Sequence, residues 1–153
     1  MNRTAGEETR LLWPALRGFY DPFFEAAYAL MRIVIGYILL MHGWVKIGAG
    51  AGAVAASVMA KNGLEPAIAF AYAAMFLETV GAICIILGLF TRFFAAALAV
   101  EMAIALVFVH AAKGFAAGQG GFEYVLLLGI VLFVIAIRGG GRYSVDRVIG
   151  KEL

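Results

Sequence analysis

Cysteine is nearly absent from this sequence: Cys84 is the only one. A chain with one cysteine cannot form an internal disulfide, so it cannot carry out dithiol exchange by itself. One cysteine is also too few for an iron–sulfur cluster, which several thiolates hold. Within the stretch GAICIILG, Cys84 has the character of a small buried apolar residue. Neither dithiol exchange by this chain alone nor an iron–sulfur cluster is therefore expected.

Charged residues are also scarce. They make up 14% of the 153 residues, whereas 64% are hydrophobic; soluble domains have about 25% charged and about 45–50% apolar residues. A soluble chain of this length cannot hide so much apolar surface. Because lipid offers the backbone no water to hydrogen-bond with, long apolar segments there must be helices. The composition predicts an all-α integral membrane protein.

The motifs of common soluble enzymes are missing. The sequence contains no Gly-Lys-Ser phosphate loop, no HExxH metal motif and no serine-nucleophile motif. The glycines of GAGAGA at 48–53 loosely fit a dinucleotide-binding pattern, but no strand precedes them. The net charge of +2 lies mainly at the predicted cytoplasmic ends, where anionic lipid explains it better than nucleic acid does. We expect no metal site and no nucleic-acid partner.

Four long apolar runs are present instead, at residues 24–47, 67–90, 93–112 and 122–137. Each is close to the ~20 residues needed to cross ~30 Å of hydrocarbon, the last being the shortest. The runs predict an integral membrane four-helix bundle in contact with the lipid bilayer. Asp21-Pro22 provides a helix start before the first run. For the connection 48–65, a short helix and a plain loop are both compatible with the sequence.

Basic residues indicate the orientation, because cytoplasmic loops carry more of them. Eight fall on one side of the predicted bundle: Arg3, Arg10, Arg17, Arg92, Arg138, Arg142, Arg147 and Lys151. Three fall on the other: Lys46, Lys61 and Lys113. We therefore predict a multi-pass protein of the bacterial cytoplasmic (inner) membrane with both termini cytoplasmic. Its parts are an interfacial segment (1–23), a four-span domain (24–138) and a cytoplasmic tail (139–153).

The tail is predicted to be an ordered cap on the cytoplasmic end. Tyr143 is expected at the headgroup level, with Arg142 and Arg147 meeting lipid phosphates or Asp146. The first helix is not expected to be a cleaved signal peptide, since it follows a long polar and aromatic lead and contains Arg32.

Polar residues within the apolar runs are the candidate site. A charge in hydrocarbon costs at least ~2.5–3.5 kcal/mol, so these residues should face the bundle interior and find partners. The candidate ligand-binding or polar-core residues are Arg32, His42, Lys46, Glu78 and Glu101, with His110 and Glu123 as secondary candidates and Gly36, Gly43 and Gly81 as helix-packing residues. Two interpretations stay open: ion pairs that only fix helix register, and a functional polar site.

Depth along the helices suggests how these residues pair. Arg32 and Glu101 each lie ~12 Å above the start of their predicted helices, which run in the same direction. We therefore predict a buried ion pair between them. His42 is near the level of Glu78, and a shared hydrogen-bonded site is expected there. Lys46, at the outer end, is expected to extend its long side chain to water.

Several of these residues together resemble the signature of the DoxX family of small four-helix membrane proteins. The similar positions are Arg32, Gly36, His42-Gly43, Lys46, Glu78, Gly81, LGLFTR (87–92) and the closing GGGRYSVD (139–146). The resemblance covers residues 27–146. It departs at NGLEP (62–66), where family members more often have the glycine and proline closer together, and this affects the shape of the first outer loop.

The resemblance implies a function in outline. The family is named for its similarity to a membrane subunit of thiosulfate:quinone oxidoreductase, and some members are linked to thiol-oxidation defence complexes. It therefore implies an accessory or quinone-linked component of a membrane redox or stress-response system, acting with a partner subunit, although fold-level analogy does not establish activity. Whether the chain is itself an enzyme stays open.

The sequence is also compatible with other functions. The chain is also compatible with a proton- or small-solute-conducting protein, which would need homo-oligomers, and with a non-catalytic subunit that docks on a partner. A quinone is the candidate cofactor. His42 and His110 fall near the outer ends of their helices, where a haem is conceivable; it is disfavoured because His110 lies about half a turn of the helical wheel from Glu101.

Overall fold

The computed structural model describes residues 12–153, and none of these lies in a β-strand. Arg3 and Arg10, which contributed to the orientation argument, lie outside the described residues. We number the helices α1 (Pro14–Ala49), α2 (51–62), α3 (Ala67–Leu87), α4 (Thr91–Lys113), α5 (Glu123–Arg138) and α6 (Val145–Ile149). The short-helix alternative for the connection 48–65 is therefore the one that the structure shows.

Three of the described helices, α1, α3 and α4, are long and apolar enough to cross a membrane. The chain is thus an all-helical membrane protein. Helix α5 has 16 residues, about 24 Å at ~1.5 Å per residue, which is shorter than the ~30 Å of hydrocarbon. Helix α1 is much longer than predicted: it begins at Pro14 instead of residue 24 and spans 36 residues, or about 54 Å.

Helices α1 and α3 approach each other closely because two glycines face α3. A Cβ atom built on Gly43 would lie 2.6 Å from the carbonyl oxygen of Glu78, and one on Gly36 would lie 3.0 Å from the carbonyl oxygen of Ala82. No side chain fits at either position, so the helices pack backbone against backbone, as small residues allow in membranes. A Cβ on Gly81 would instead meet the Phe94 ring of α4 at 3.0 Å.

Arg32 joins three parts of the chain at the end of the bundle that carries both described termini. Its guanidinium donates hydrogen bonds to the carbonyls of Ile85, Ile86 (2.9 Å) and Tyr143 (2.6 Å). The last turn of a helix has carbonyls without helical donors and a partial negative charge, both of which suit a guanidinium. Gly88 leaves room for it, since a Cβ there would lie 2.8 Å from Arg32 Nη1.

The predicted Arg32–Glu101 ion pair is therefore wrong. The Cβ of a helical residue tilts toward the helix N-terminus, so the Arg32 side chain extends toward the α3–α4 turn. Glu101 lies ten residues into α4, ~15 Å along the helix from Thr91. The depth estimate failed because it took both helices to begin at one level, whereas α1 extends well past the α3–α4 turn.

Asp146 fixes the tail to the start of α4. Its carboxylate accepts hydrogen bonds from the N–H groups of Phe90 (2.7 Å) and Thr91 (2.9 Å) and from the Thr91 hydroxyl (2.6 Å). These backbone donors are of the kind that a helix start leaves unpaired and that a capping side chain satisfies. We call the contacts of Arg32, Gly88, Thr91, Tyr143 and Asp146 the C-terminal lock.

The tail is ordered, as predicted, but its contacts differ from those expected. Asp146 binds the α4 start, so of the two partners predicted for Arg142 and Arg147, lipid phosphates are the one that remains. Arg92 donates to the last carbonyls of α5 and pairs with Glu152 at 2.7 Å. The Tyr28 hydroxyl donates to the Gly139 carbonyl at 2.6 Å. Residues 139–153 thus close this end of the bundle.

We expect Asp146→Ala to lower the free energy of unfolding by about 2–4 kcal/mol, because three donors at the start of α4 lose their acceptor in a site where Asp146 is 1% exposed. Equilibrium unfolding in detergent micelles, followed by circular dichroism, measures the change. Arg147→Ala is the matched control on the same short helix; its exposed side chain should contribute within ~0.5 kcal/mol. Equal effects of the two substitutions would contradict the capping role.

Candidate functional site

A cavity of about 400 Å³ lies in the half of the bundle away from the C-terminal lock. Helices α1 to α5 and the connection 114–121 all contribute to its walls. Most of the lining is apolar, and the polar side chains on it are His42, Lys46, Glu78, Glu101, His110 and Tyr124. A volume of ~300–1,000 Å³ with a few convergent polar groups is typical of small-molecule sites. We call this space the outer cavity.

Lys46 and Glu78 form an ion pair across the α1–α3 contact. The predicted extension of Lys46 to water is wrong, since its side chain is 23% exposed and that of Glu78 is 6% exposed. Two features explain the pair. The Lys46 side chain leans toward the N-terminus of α1, and Gly43, one turn earlier, brings the α3 backbone at Glu78 close to that position.

Glu101 lies on the cavity wall without a hydrogen-bond partner for its Oε2 atom, which is buried. The charged groups that line the cavity with it are Glu78 and Lys46, whereas Arg32 binds carbonyls at the other end of the bundle. The outer cavity thus holds two carboxyl groups and one ammonium group, and the ammonium group is already bound to Glu78. Buried polar atoms in folded proteins are nearly always paired, so an unpaired one is informative.

The two histidines line the outer cavity but have different surroundings. The His42 ring centroid lies 6.4 Å from that of Tyr124. Within residues 12–153 no hydrogen bond joins His42 to Glu78, so the predicted shared site is wrong. The Glu78 carboxylate instead binds the ammonium group of Lys46. His110 Nδ1 lies 2.7 Å from the Gly120 carbonyl oxygen and ties the connection 114–121 to α4.

Glu123, the other secondary candidate, is exposed and does not line the cavity. Its carboxylate accepts a hydrogen bond from the Ala117 N–H at 3.1 Å, which supports the connection before α5. Among the described residues no group of three or more histidine, cysteine, aspartate or glutamate side chains is arranged to hold a metal ion.

Three π-helical turns border the outer cavity, at Ala55–Met59 in α2, Leu77–Gly81 in α3 and Leu106–His110 in α4. A π turn inserts one residue into a helix and is frequent at functional sites. Here the turns carry Glu78 and His110 themselves. The sequence did not indicate these turns, and it also missed Tyr124, whose position near the start of an apolar run gives it no distinguishing pattern.

We expect Lys46→Met alone to destabilise the protein by about 3–5 kcal/mol, because it leaves the Glu78 carboxylate buried without a partner. The double substitution Lys46→Met with Glu78→Leu should recover most of that loss, since no lone charge remains. Unfolding of the wild type, both single variants and the double variant in micelles gives the coupling energy. Glu152→Gln, which breaks an exposed pair, is the control and should cost at most ~1 kcal/mol. If the losses of stability in the two single variants simply add in the double variant, Lys46 and Glu78 are not energetically coupled.

Comparison with known proteins links this geometry to a family. The DoxX family model matches residues 27–111, which is more than half of the chain. A protein of Haemophilus influenzae described as uncharacterized is 34% identical over 144 residues, covering 87% of this chain and 96% of its own length. A second uncharacterized protein of that organism is 30% identical over 80 residues, which cover 52% of this chain and 53% of that protein's length. No solved structure matches the chain.

The matched region contains α1 from residue 27 onward, α2, α3 and most of α4, and hence Arg32, the Lys46–Glu78 pair and Glu101. It ends before the GGGRYSVD segment, which the structure joins to the matched region through Arg32 and Thr91. The resemblance that the motifs indicated is confirmed: the chain belongs to the DoxX family.

Proposed function

We propose that this membrane protein binds a quinone, or a lipid-soluble molecule of similar chemistry, in the outer cavity as a component of a membrane redox or stress-response system. The observation that carries the proposal is an apolar cavity of about 400 Å³ with a buried, unpaired carboxyl oxygen on its wall. An apolar lining suits the ring of such a ligand, and a few polar groups fix its orientation. A quinone, when bound, supplies two-electron redox chemistry.

Conduction of protons or solutes fits the structure less well than ligand binding. The polar residues of the outer cavity stop about halfway through the bundle. In the half toward the C-terminal lock, the core side chains of Ile85, Leu98, Leu132 and Ile135 are fully buried. A conducting path would have to cross this apolar layer, where each unsatisfied polar or charged group is costly.

A purely docking role through the glycine-bearing faces is also less favoured. Gly36 and Gly43 are already in contact with α3 of the same chain. Because the chain has one cysteine, we propose that the electrons for any turnover come from a partner redox subunit in the membrane. A homo-oligomer is compatible with this arrangement and is not required by it.

We further propose that α5 is a fourth span and that both termini are cytoplasmic in the bacterial inner membrane. Helix α5 packs along α4, and its end is held by Arg92 at the level of the α3–α4 turn. It therefore runs from the C-terminal lock to the connection 114–121, although it is shorter than α3 and α4. We keep the domain limits proposed from the sequence, 1–23, 24–138 and 139–153, as an interfacial segment, the bundle and the cap, with the first limit lying inside α1.

The orientation predicts that a reporter active only in the cytoplasm will be active when fused after Leu153. The same reporter inserted in the connection 114–121 should be inactive, because that connection lies at the opposite end of the bundle. A periplasmic reporter at both positions is the control and should give the reverse pattern. Cytoplasmic activity at both positions would mean that α5 does not cross the membrane.

We expect Ala105→Phe to abolish binding of a short-chain ubiquinone to the purified protein in lipid nanodiscs. Ala105 lines the outer cavity, so a phenyl ring there occupies the space of the ligand. Ala103→Phe is the matched control on the same helix, because Ala103 is exposed and does not line this cavity. Equilibrium binding of the radiolabelled quinone measures both. Equal binding by the two variants would exclude the outer cavity as the site.

A further inference from the structure

We propose that Glu101 carries a proton and donates a hydrogen bond from its carboxyl group to a carbonyl of the bound molecule, so that the outer cavity selects uncharged ligands with a carbonyl acceptor. This inference rests on the proposed function, because it assigns the ligand class and the contacting residue of the same cavity. It concerns binding and involves no redox step.

The first step is the position of Glu101. Its Oε2 atom is buried and has no hydrogen-bond partner among residues 12–153, yet the side chain lies on the wall of the cavity. Leu39, Met102 and Leu128, all buried and apolar, line the same space. Because the surrounding helices leave this atom unpaired beside open space, a ligand that enters the cavity can supply its missing hydrogen bond.

The second step is the balance of charge. The titratable groups that line the cavity with Glu101 are Lys46 and His42 from α1, Glu78 from α3, His110 from α4 and Tyr124 from α5. Helix α2 and the connection 114–121 contribute only residues without titratable side chains. Lys46, the only lysine or arginine among the described residues that lines the cavity, is bound to Glu78, which leaves neither side chain for a second carboxylate. An unpaired charge in an apolar site is far costlier than a neutral carboxylic acid.

The third step is the chemistry of recognition. A protonated carboxyl group is a hydrogen-bond donor, so the group that completes it is an acceptor such as the carbonyl of a quinone. An anionic ligand would add a charge that no free lysine or arginine from residues 12–153 on the cavity wall balances, because Lys46 is already paired. A cationic ligand would instead require ionised Glu101. The cavity therefore discriminates by charge as well as by shape.

The protonation state is tested by infrared spectroscopy of the protein in lipid nanodiscs at neutral pH. The wild type should show a carboxylic-acid C=O band that is absent in Glu101→Gln and retained in Glu78→Gln. Addition of a short-chain ubiquinone should shift this band, because the hydrogen bond weakens the O–H and C=O bonds of the acid. A wild-type spectrum without a band lost in Glu101→Gln would overturn the proposal.

Binding of the same ubiquinone to variants of Glu101 distinguishes the contribution of the hydrogen-bond donor from that of the cavity space. Glu101→Gln keeps a donor and should bind within a few-fold of the wild type, whereas Glu101→Leu has none and should bind about tenfold more weakly. Glu101→Leu with wild-type affinity, alongside lost binding in Ala105→Phe, would overturn this inference and leave the proposed function intact. A wild type that binds no ubiquinone overturns both.

Competition with lipophilic ions tests the charge selectivity. Neither tetraphenylphosphonium, a cation, nor tetraphenylborate, an anion, should displace ubiquinone from the wild type. Displacement by the cation in the wild type but not in Glu101→Gln would mean that Glu101 is ionised and binds organic cations, which would overturn the assignment of a neutral ligand.

Discussion

The arrangement of the bundle depends on the guanidinium of Arg32, which binds the last carbonyls of α3 and the carbonyl of Tyr143. This contact fixes the height of α1 relative to α3. Gly36, Gly43 and Lys46 follow Arg32 on one face of α1 at 4, 11 and 14 residues. Because a helix is stiff, a register fixed at Arg32 brings Gly43 against Glu78 and Lys46 within reach of its carboxylate. The position of the candidate site thus follows from a contact at the other end of the molecule.

The two ends of the bundle differ in how fully their polar groups are paired. In the C-terminal lock, Asp146 has three donors, and the guanidinium of Arg32 binds three carbonyls, with its Nε atom left unpaired among the described residues. In the outer cavity, Glu101 has an oxygen without a partner. Since lipid supplies no water to replace a missing partner, the first arrangement stabilises the fold and the second is suited to a ligand.

The sequence predicted the elements of this structure better than their pairing. Apolar runs located all four long helices, and the cost of charge in lipid correctly indicated that Arg32 and Glu78 are partnered inside the protein. The partners were mistaken because the run that starts at residue 24 does not show where α1 begins. The contact of Asp146 with Thr91 joins positions 55 residues apart, and no local pattern encodes such a distance. Lys46 does not reach water as predicted, because its side chain leans toward the N-terminus of α1 and meets Glu78 there.

The backbone is irregular at the end of the bundle that holds the outer cavity. The three π turns at Ala55–Met59, Leu77–Gly81 and Leu106–His110 all border it, and among the described residues none lies at the C-terminal lock. Regular helices with small residues at their contacts pack closely and leave little space. The residues of α3 and α4 that line the cavity, within 70–78 and 97–110, lie at or before these turns, so each turn marks the place where the cavity-facing side of its helix ends. The turn that carries Glu78 presents its carboxylate to Lys46 at this end of the bundle.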